Sequence, residues 1–253
     1  MKSWWSKCWP PFVAVLFLLT IWQLCTTFFD IEQWILPSPY AIAQEASSQS
    51  VGLWKHTLAT IQLTVVGFII GTLVGLLIAI VLHMTPFLKS ALYPLLILSQ
   101  NVPTIALAPL LMIWFGFGLL PKIIVITLVC FFPVSLAMMG GLKQTDSTML
   151  SYMRMIGANK RQIFVKLELP HSLPSLFSGI KIAATYSVMG AVIAEWIGSD
   201  KGIGYYMMLQ KASYRTDRMF VAIAIIVVLS LIMFSLIALL EKWTVRWTPQ
   251  QEK

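Results

Sequence analysis

The chain has 253 residues, 58% of them hydrophobic and only 11% charged, with a mean hydropathy of +0.81. A soluble domain carries roughly 25% charged residues, so this composition excludes one or two soluble domains and specifies an all-α polytopic membrane protein. The formal charge of +8 invites a nucleic-acid partner, but the cations fall in the gaps between apolar runs and read as topology signals instead.

Met1 to Trp9 is short, basic and Trp-rich, which suits an anchor at the membrane interface. The first apolar run, about 12–29, lacks a small-x-small site after it and is read as a retained membrane helix rather than a cleaved leader. Asp30 to Lys55 is polar, with an extended corner at Pro37 and Pro39 and a short helix near Pro39 to Ser47. The second span, about 58–82, repeats Gly67, Gly71 and Gly75 every four residues, a stripe that allows close helix contact.

The third span, about 92–115, is interrupted by Pro103 and Pro109, with Gln100, Asn101 and Thr104 beside the first. Proline frees backbone carbonyls, which in lipid must find internal partners. The expectation is a kinked helix. Its bend faces either a water-filled path or simply other helices. The fourth span is about 123–141, the fifth about 176–197 and the sixth about 220–240. Each run is roughly 20 residues, enough for about 30 Å of hydrocarbon.

Between the fourth and fifth spans lies a polar, mostly basic island, residues 146–174. It is too long for a simple turn. Asp146 and Ser147 can N-cap a first helix running to about Ile156. Gly157 tolerates the positive φ of a helix end. Asn159 can cap a second helix through Leu169, which Pro170 would stop. Met149, Met153 and Ile156 fall on one face of the first helix, and Met suits a docking surface.

Six spans place both termini on one side. Of the 18 Lys and Arg, six (Lys55, Lys122, Lys201, Lys211, Arg215, Arg218) fall on one side, eleven on the side of the termini and island, and Lys181 within the fifth span. The bias puts the termini and the island in the cytoplasm. Lys181 is close enough to its span's end to snorkel. Glu195, near the other end of that span, either lines the outer gate or is an interfacial acid paired with Lys201. Cys8, Cys25 and Cys130 form no CxxC pair, and His56, His83 and His171 lack metal-ligand spacing. No catalytic or metal site is expected.

Three segments carry a family resemblance. Gly157, Leu167, Leu169 and Pro170 resemble the end of the "EAA" loop of bacterial ABC importer permeases, although Ser151, Tyr152 and Met153 stand where Glu-Ala-Ala would be. Asn101 to Gly118, NVPTIALAPLLMIWFGFG, and Gly179 to Tyr206, with Glu195, Gly202, Gly204 and Tyr205, resemble segments of the permeases for nitrate, sulfonate, taurine and thiamine pyrimidines. The resemblance spans about residues 36–247. It implies one transmembrane permease domain over 1–253 with the MetI-like fold of type I ABC importers. It implies a cytoplasmic ATPase docked on the island through Arg154, Gly157, Leu167, Leu169 and Pro170, an external binding protein that delivers substrate, and a second permease copy. It also implies a bacterial cytoplasmic membrane. ATP would be used by the ATPase and no cofactor bound here, and the chain indeed has no GxxxxGK[ST] phosphate loop.

Candidate lining residues are Asn101, Thr104, Thr185, Tyr186, Ser187 and Glu195. All but the last are neutral, with no cation ring to await an anion. This leans toward a neutral heteroaromatic such as a formylaminopyrimidine, with nitrate or alkanesulfonate as the alternative. An ion-coupled secondary transporter is the remoter one, since no internal repeat or midplane acid is evident.

Overall fold

A computed structural model describes residues 2–48 and 50–245, with side chains described for 9–48 and 52–245. The expected Trp-rich anchor, except Trp9, therefore lies outside the described side chains, as do Arg246 and Lys253 of the charge argument. The described residues form eleven α-helices and no strand. They are α1 (Lys2–Phe28), α2 (Pro39–Ser48), α3 (Ser50–Met84), α4 (Pro86–Ser99), α5 (Thr104–Phe115), α6 (Leu119–Lys143), α7 (Ser147–Met155), α8 (Lys160–Ile163), α9 (Leu169–Gly198), α10 (Ile203–Ala212) and α11 (Thr216–Thr244).

Among the described residues, five stretches are long and apolar enough to cross a membrane: Trp9–Phe28, Gly52–Met84, Leu119–Lys143, Lys160–Gly198 and Thr216–Thr244. The expected third span is broken rather than kinked. α4 and α5 meet at 101° across residues 100–103. Pro103 begins α5 as its N-cap in extended conformation (φ −64°, ψ 112°), and Pro109 sits inside α5 without ending it. The residue before a proline avoids the helical region, so the chain leaves the helix before Pro103 and restarts after it.

The bundle is organised around α6, which is packed between α3 and α9. The glycine stripe of α3 makes that approach possible. A Cβ on Gly67 would lie 2.6 Å from Ile126 Cγ2, and one on Gly71 2.6 Å from Cys130 Cβ. Ser135 Oγ donates to the Gly75 carbonyl at 2.9 Å, a hydrogen bond between the two backbones' surfaces. On the other side of α6, Gly179 of α9 lies against Pro133 and Ala137. Small residues at helix contacts are what dispersion-driven packing in lipid requires. Ile126, Val134, Met138, Ala183, Ala184 and Ala191 are fully buried in this seam.

α1 stands apart. Phe12, Phe17 and Leu18 are each more than 60% exposed. Its recorded ties are a Trp22–Phe220 ring contact at 5.4 Å and Gln23 Oε1 accepting from the Tyr40 amide.

One expectation about the island is overturned. Pro170 does not stop the second island helix. α8 passes through a π-turn, Phe164–Glu168, directly into α9, so that 160–198 is one 39-residue rod. Proline is costly in a helix because it lacks an N–H and crowds the carbonyl four residues back. The π-turn widens the helix just before Pro170, with the Leu169 amide bonded to the Phe164 carbonyl. That five-residue spacing relaxes the crowding. Pro170 then follows directly, where the ladder returns from five-residue to four-residue spacing.

Candidate functional site

The break between α4 and α5 opens onto a cavity of about 570 Å³. Gln100, Asn101 and Thr104 reach it from the break, Phe132 and Pro133 from α6, and Tyr186 and Met189 from α9. The volume falls within the roughly 300–1,000 Å³ of small-molecule sites. No Asp, Glu, Lys, Arg or His lines it among the described residues. Asn101 Nδ2 donates to the Ile97 and Leu98 carbonyls, both at 3.3 Å, and so closes the end of α4. Tyr186 and Met189 are 50% and 60% exposed, which leaves one wall of the cavity open.

Of the expected lining residues, Asn101, Thr104 and Tyr186 meet at this cavity. Thr185 and Ser187 turn their hydroxyls back onto α9, to the Lys181 carbonyl at 3.3 Å and the Ala184 carbonyl at 2.7 Å. Glu195 lies off the cavity wall and is only 2% exposed. Lys181, expected to reach its span's end, pairs with Glu241 near the end of α11 at 2.8 Å.

A buried carboxylate must find donors, and Glu195 finds them at the start of α10. Gly204 N–H donates to its Oε2 at 2.8 Å, and Thr60 Oγ donates to both its oxygens at 2.9 and 3.0 Å. Thr60 Oγ in turn accepts from Ile203 N–H at 2.8 Å, and His56 Nδ1 accepts from Gly202 N–H at 3.2 Å. Three consecutive amides at a helix start, all orphaned by helix geometry, are thus satisfied by side chains of α3 and α9. No ion pair joins Glu195 to Lys201 among the described residues. The Gly-Ile-Gly segment is required by geometry: Gly202 has φ +110°, and a Cβ there would collide with the Glu195 carboxylate.

Sequence reasoning missed α10, His56 and Thr60. The available signals were an acid and a threonine inside apolar runs, each needing a partner, and a Gly-x-Gly pair before Tyr205 and Tyr206. His56, given no role from spacing alone, also packs against Tyr206 at 5.6 Å.

The island's caps and its Gly157 turn follow their local signals. Asp146 caps α7, accepting from Thr148 N–H at 2.7 Å, and that bond holds its carboxyl below the usual carboxylate range. Gly157 has φ +81° and open space around it. Asn159 and Gln162 form a reciprocal capping box at 2.9 and 2.8 Å. α7 exposes Met149, Tyr152, Met155 and Ile156, each by more than half, whereas Met153 is half-buried. Arg154 is exposed, and Leu167, Leu169 and Pro170 are half-buried where the π-turn meets α9.

Known proteins resemble this chain in sequence and in fold. Residues 71–246 match the family model described as binding-protein-dependent transport system inner membrane component. A chain from Haemophilus influenzae called a probable ABC transporter permease protein is 37% identical over 88% of this chain and 91% of its own length. The formylaminopyrimidine transport permease protein ThiX of Halalkalibacterium halodurans is 32% identical, covering 95% and 96% of the two chains. The riboflavin transport system permease protein RibX of Chloroflexus aurantiacus is also 32% identical, covering 94% and 91%. Among solved structures, an inward-facing form of the MetNI methionine ABC transporter superposes with TM-score 0.68 at 18% identity, over 78% of this chain and 98% of that one.

Proposed function

This chain belongs to the family of binding-protein-dependent transport system inner membrane components, and from that premise we propose that it forms, with a second copy, the membrane pathway of an ATP-driven importer. The observation that carries this reading is the continuous rod 160–198. Its start adjoins an exposed island with an apolar face, and its later turns, at Tyr186 and Met189, line the uncharged cavity. A separate ATPase docks on the island through α7, Arg154 and Gly157, with Leu167, Leu169 and Pro170 fixing how the island joins α9. An external binding protein loads the cavity from the far side. The open wall at Tyr186 and Met189 is completed by the second copy. The termini and island face the cytoplasm of a bacterial cell, as the charge bias favours.

The substrate is a neutral heteroaromatic, with a formylaminopyrimidine thiamine precursor as the leading candidate. Its support is a wall of Phe132, Tyr186 and amide groups without a charge, together with the ThiX likeness. A nitrate or sulfonate would have to cross such a wall without a cation to receive it. The test is reconstitution of the chain with its ATPase and binding protein, comparing uptake of formylaminopyrimidine, taurine and nitrate. Uptake of the pyrimidine that requires ATP and all three components is expected. Uptake by the chain alone on a proton or sodium gradient would overturn the importer reading. Preference for taurine or nitrate would overturn the substrate.

A further inference from the structure

The π-turn between α8 and α9 is gripped at both its ends by one residue of another helix. His83 stands in the last turn of α3. Its ring packs on Phe164, the first residue of the π-turn, with centroids 5.8 Å apart. Its Nε2 lies 2.9 Å from Oε2 of Glu168, the last residue of the π-turn. With Nε2 protonated, the imidazole donates to the carboxylate. Phe164 is 7% exposed, so the grip is buried on its ring side.

A π-turn is a poorly determined piece of helix. Moving one residue in or out of it rotates everything on one side by about 100° relative to the other, one residue's share of a 3.6-residue turn. Here the side that would rotate carries α7 and α8, and the fixed side carries Tyr186 and Met189. An unpinned joint would therefore absorb motion of the island instead of passing it to the cavity wall.

We propose that His83 and Glu168 are positioning residues that lock the π-turn, so that displacement of the island is transmitted along α9 rather than dissipated at the joint. This rests on the reading of the island as an ATPase-docking surface. α3 is a suitable anchor, because its glycine stripe seats it against α6, the helix to which α9 is also packed.

The test uses the chain assembled with the ATPase, in a background with Cys8, Cys25 and Cys130 replaced. Met189→Cys on α9 serves as the reporter, through its reactivity with a water-soluble thiol reagent with and without ATP and vanadate. In the parent, reactivity is expected to change with nucleotide. Glu168→Ala and His83→Ala should leave co-purification and ATP hydrolysis in place while that change is lost. Glu168→Gln keeps an oxygen that accepts from the imidazole and should restore it, an outcome that a general loss of folding would not give. His83→Phe, which keeps the ring contact but not the hydrogen bond, should stay uncoupled even if His83→Ala fails to accumulate. A nucleotide response in Glu168→Ala and His83→Phe equal to the parent's would overturn the lock. A parent that binds no ATPase, or shows no nucleotide response, would remove the docking reading and the lock with it.

Discussion

The two ends of the rod that runs through α9 are built on opposite principles. At Glu195 the polar groups are buried, mutually satisfied and drawn from three helices: Thr60 and His56 from α3, Glu195 from α9 and the amides that begin α10. Across α7 and α8, before the π-turn that His83 grips, the bonds are local. Asp146 caps its own helix, Asn159 and Gln162 cap theirs, and the apolar side chains of α7 face outward. A fully satisfied buried network has one low-energy arrangement, because every alternative orphans a donor or an acceptor. A chain of local caps keeps each short helix intact while leaving its placement free. One end of α9 is therefore fixed by a buried network, and the other, held to α3 only at the π-turn, carries α7 beyond it as a handle.

Substitutions should break this contrast unequally. The largest effect is expected from Gly202→Val, which combines a branched side chain at φ +110° with collision against the Glu195 carboxylate. The membrane-inserted protein should fail to accumulate, as read by immunoblot of membranes. Normal levels with normal uptake would show that the α10 start is not a fixed point. Thr60→Val comes next. It removes the donor to Glu195 and the acceptor for Ile203, and each group left buried without a partner costs about 1–3 kcal/mol. A clear fall in Tm of the detergent-solubilised protein is expected, and an unchanged Tm would mean that water replaces the hydroxyl.

Gly157→Val sharpens the contrast from the other side. Nothing lies within 4 Å of the added Cβ, so the cost is mainly the positive φ, about 1–2 kcal/mol, borne locally by a turn outside the bundle. Abundance and Tm should stay near wild type while ATPase co-purification and uptake fall, and Gly157→Ala should be milder. Retained assembly and uptake in the valine variant would reduce the island to an ordinary charged loop. The smallest effect is expected from acid at Asp146. Its carboxyl is held below the usual range in the folded chain, so its stabilisation of α7 is full above the unfolded value and is lost as pH falls through the folded one. Amide exchange of Thr148, corrected for intrinsic rate, should quicken below about pH 4. Protection that does not change across that range would remove the cap from the account.

This division also explains what could be read in the sequence. Asp146, Gly157 and Asn159 were legible because a cap is decided within three or four residues. The long helices were legible because each reads as a run of about 20 apolar residues. The break at Pro103 showed as two prolines, but the 101° angle depends on what α4 and α5 pack against. Pro170 was misread because the rule that proline ends a helix assumes a regular ladder, and the π-turn before it removes that assumption. Glu195 was open to two readings because its donor Thr60 lies 135 positions away. Only the fold brings them together.

The length of α3 has a consequence for where this protein can work. Its 35 residues extend about 50 Å at 1.5 Å per residue, against roughly 30 Å of hydrocarbon. The surplus must tilt or emerge. Lys55, exposed near one end, and the His83–Glu168 pair near the other are the polar stations between which the surplus lies. The helix is thus a gauge for bilayer thickness. In lipids with longer acyl chains one station sinks into hydrocarbon, and transport measured across a series of chain lengths should pass through an optimum rather than rise or fall steadily.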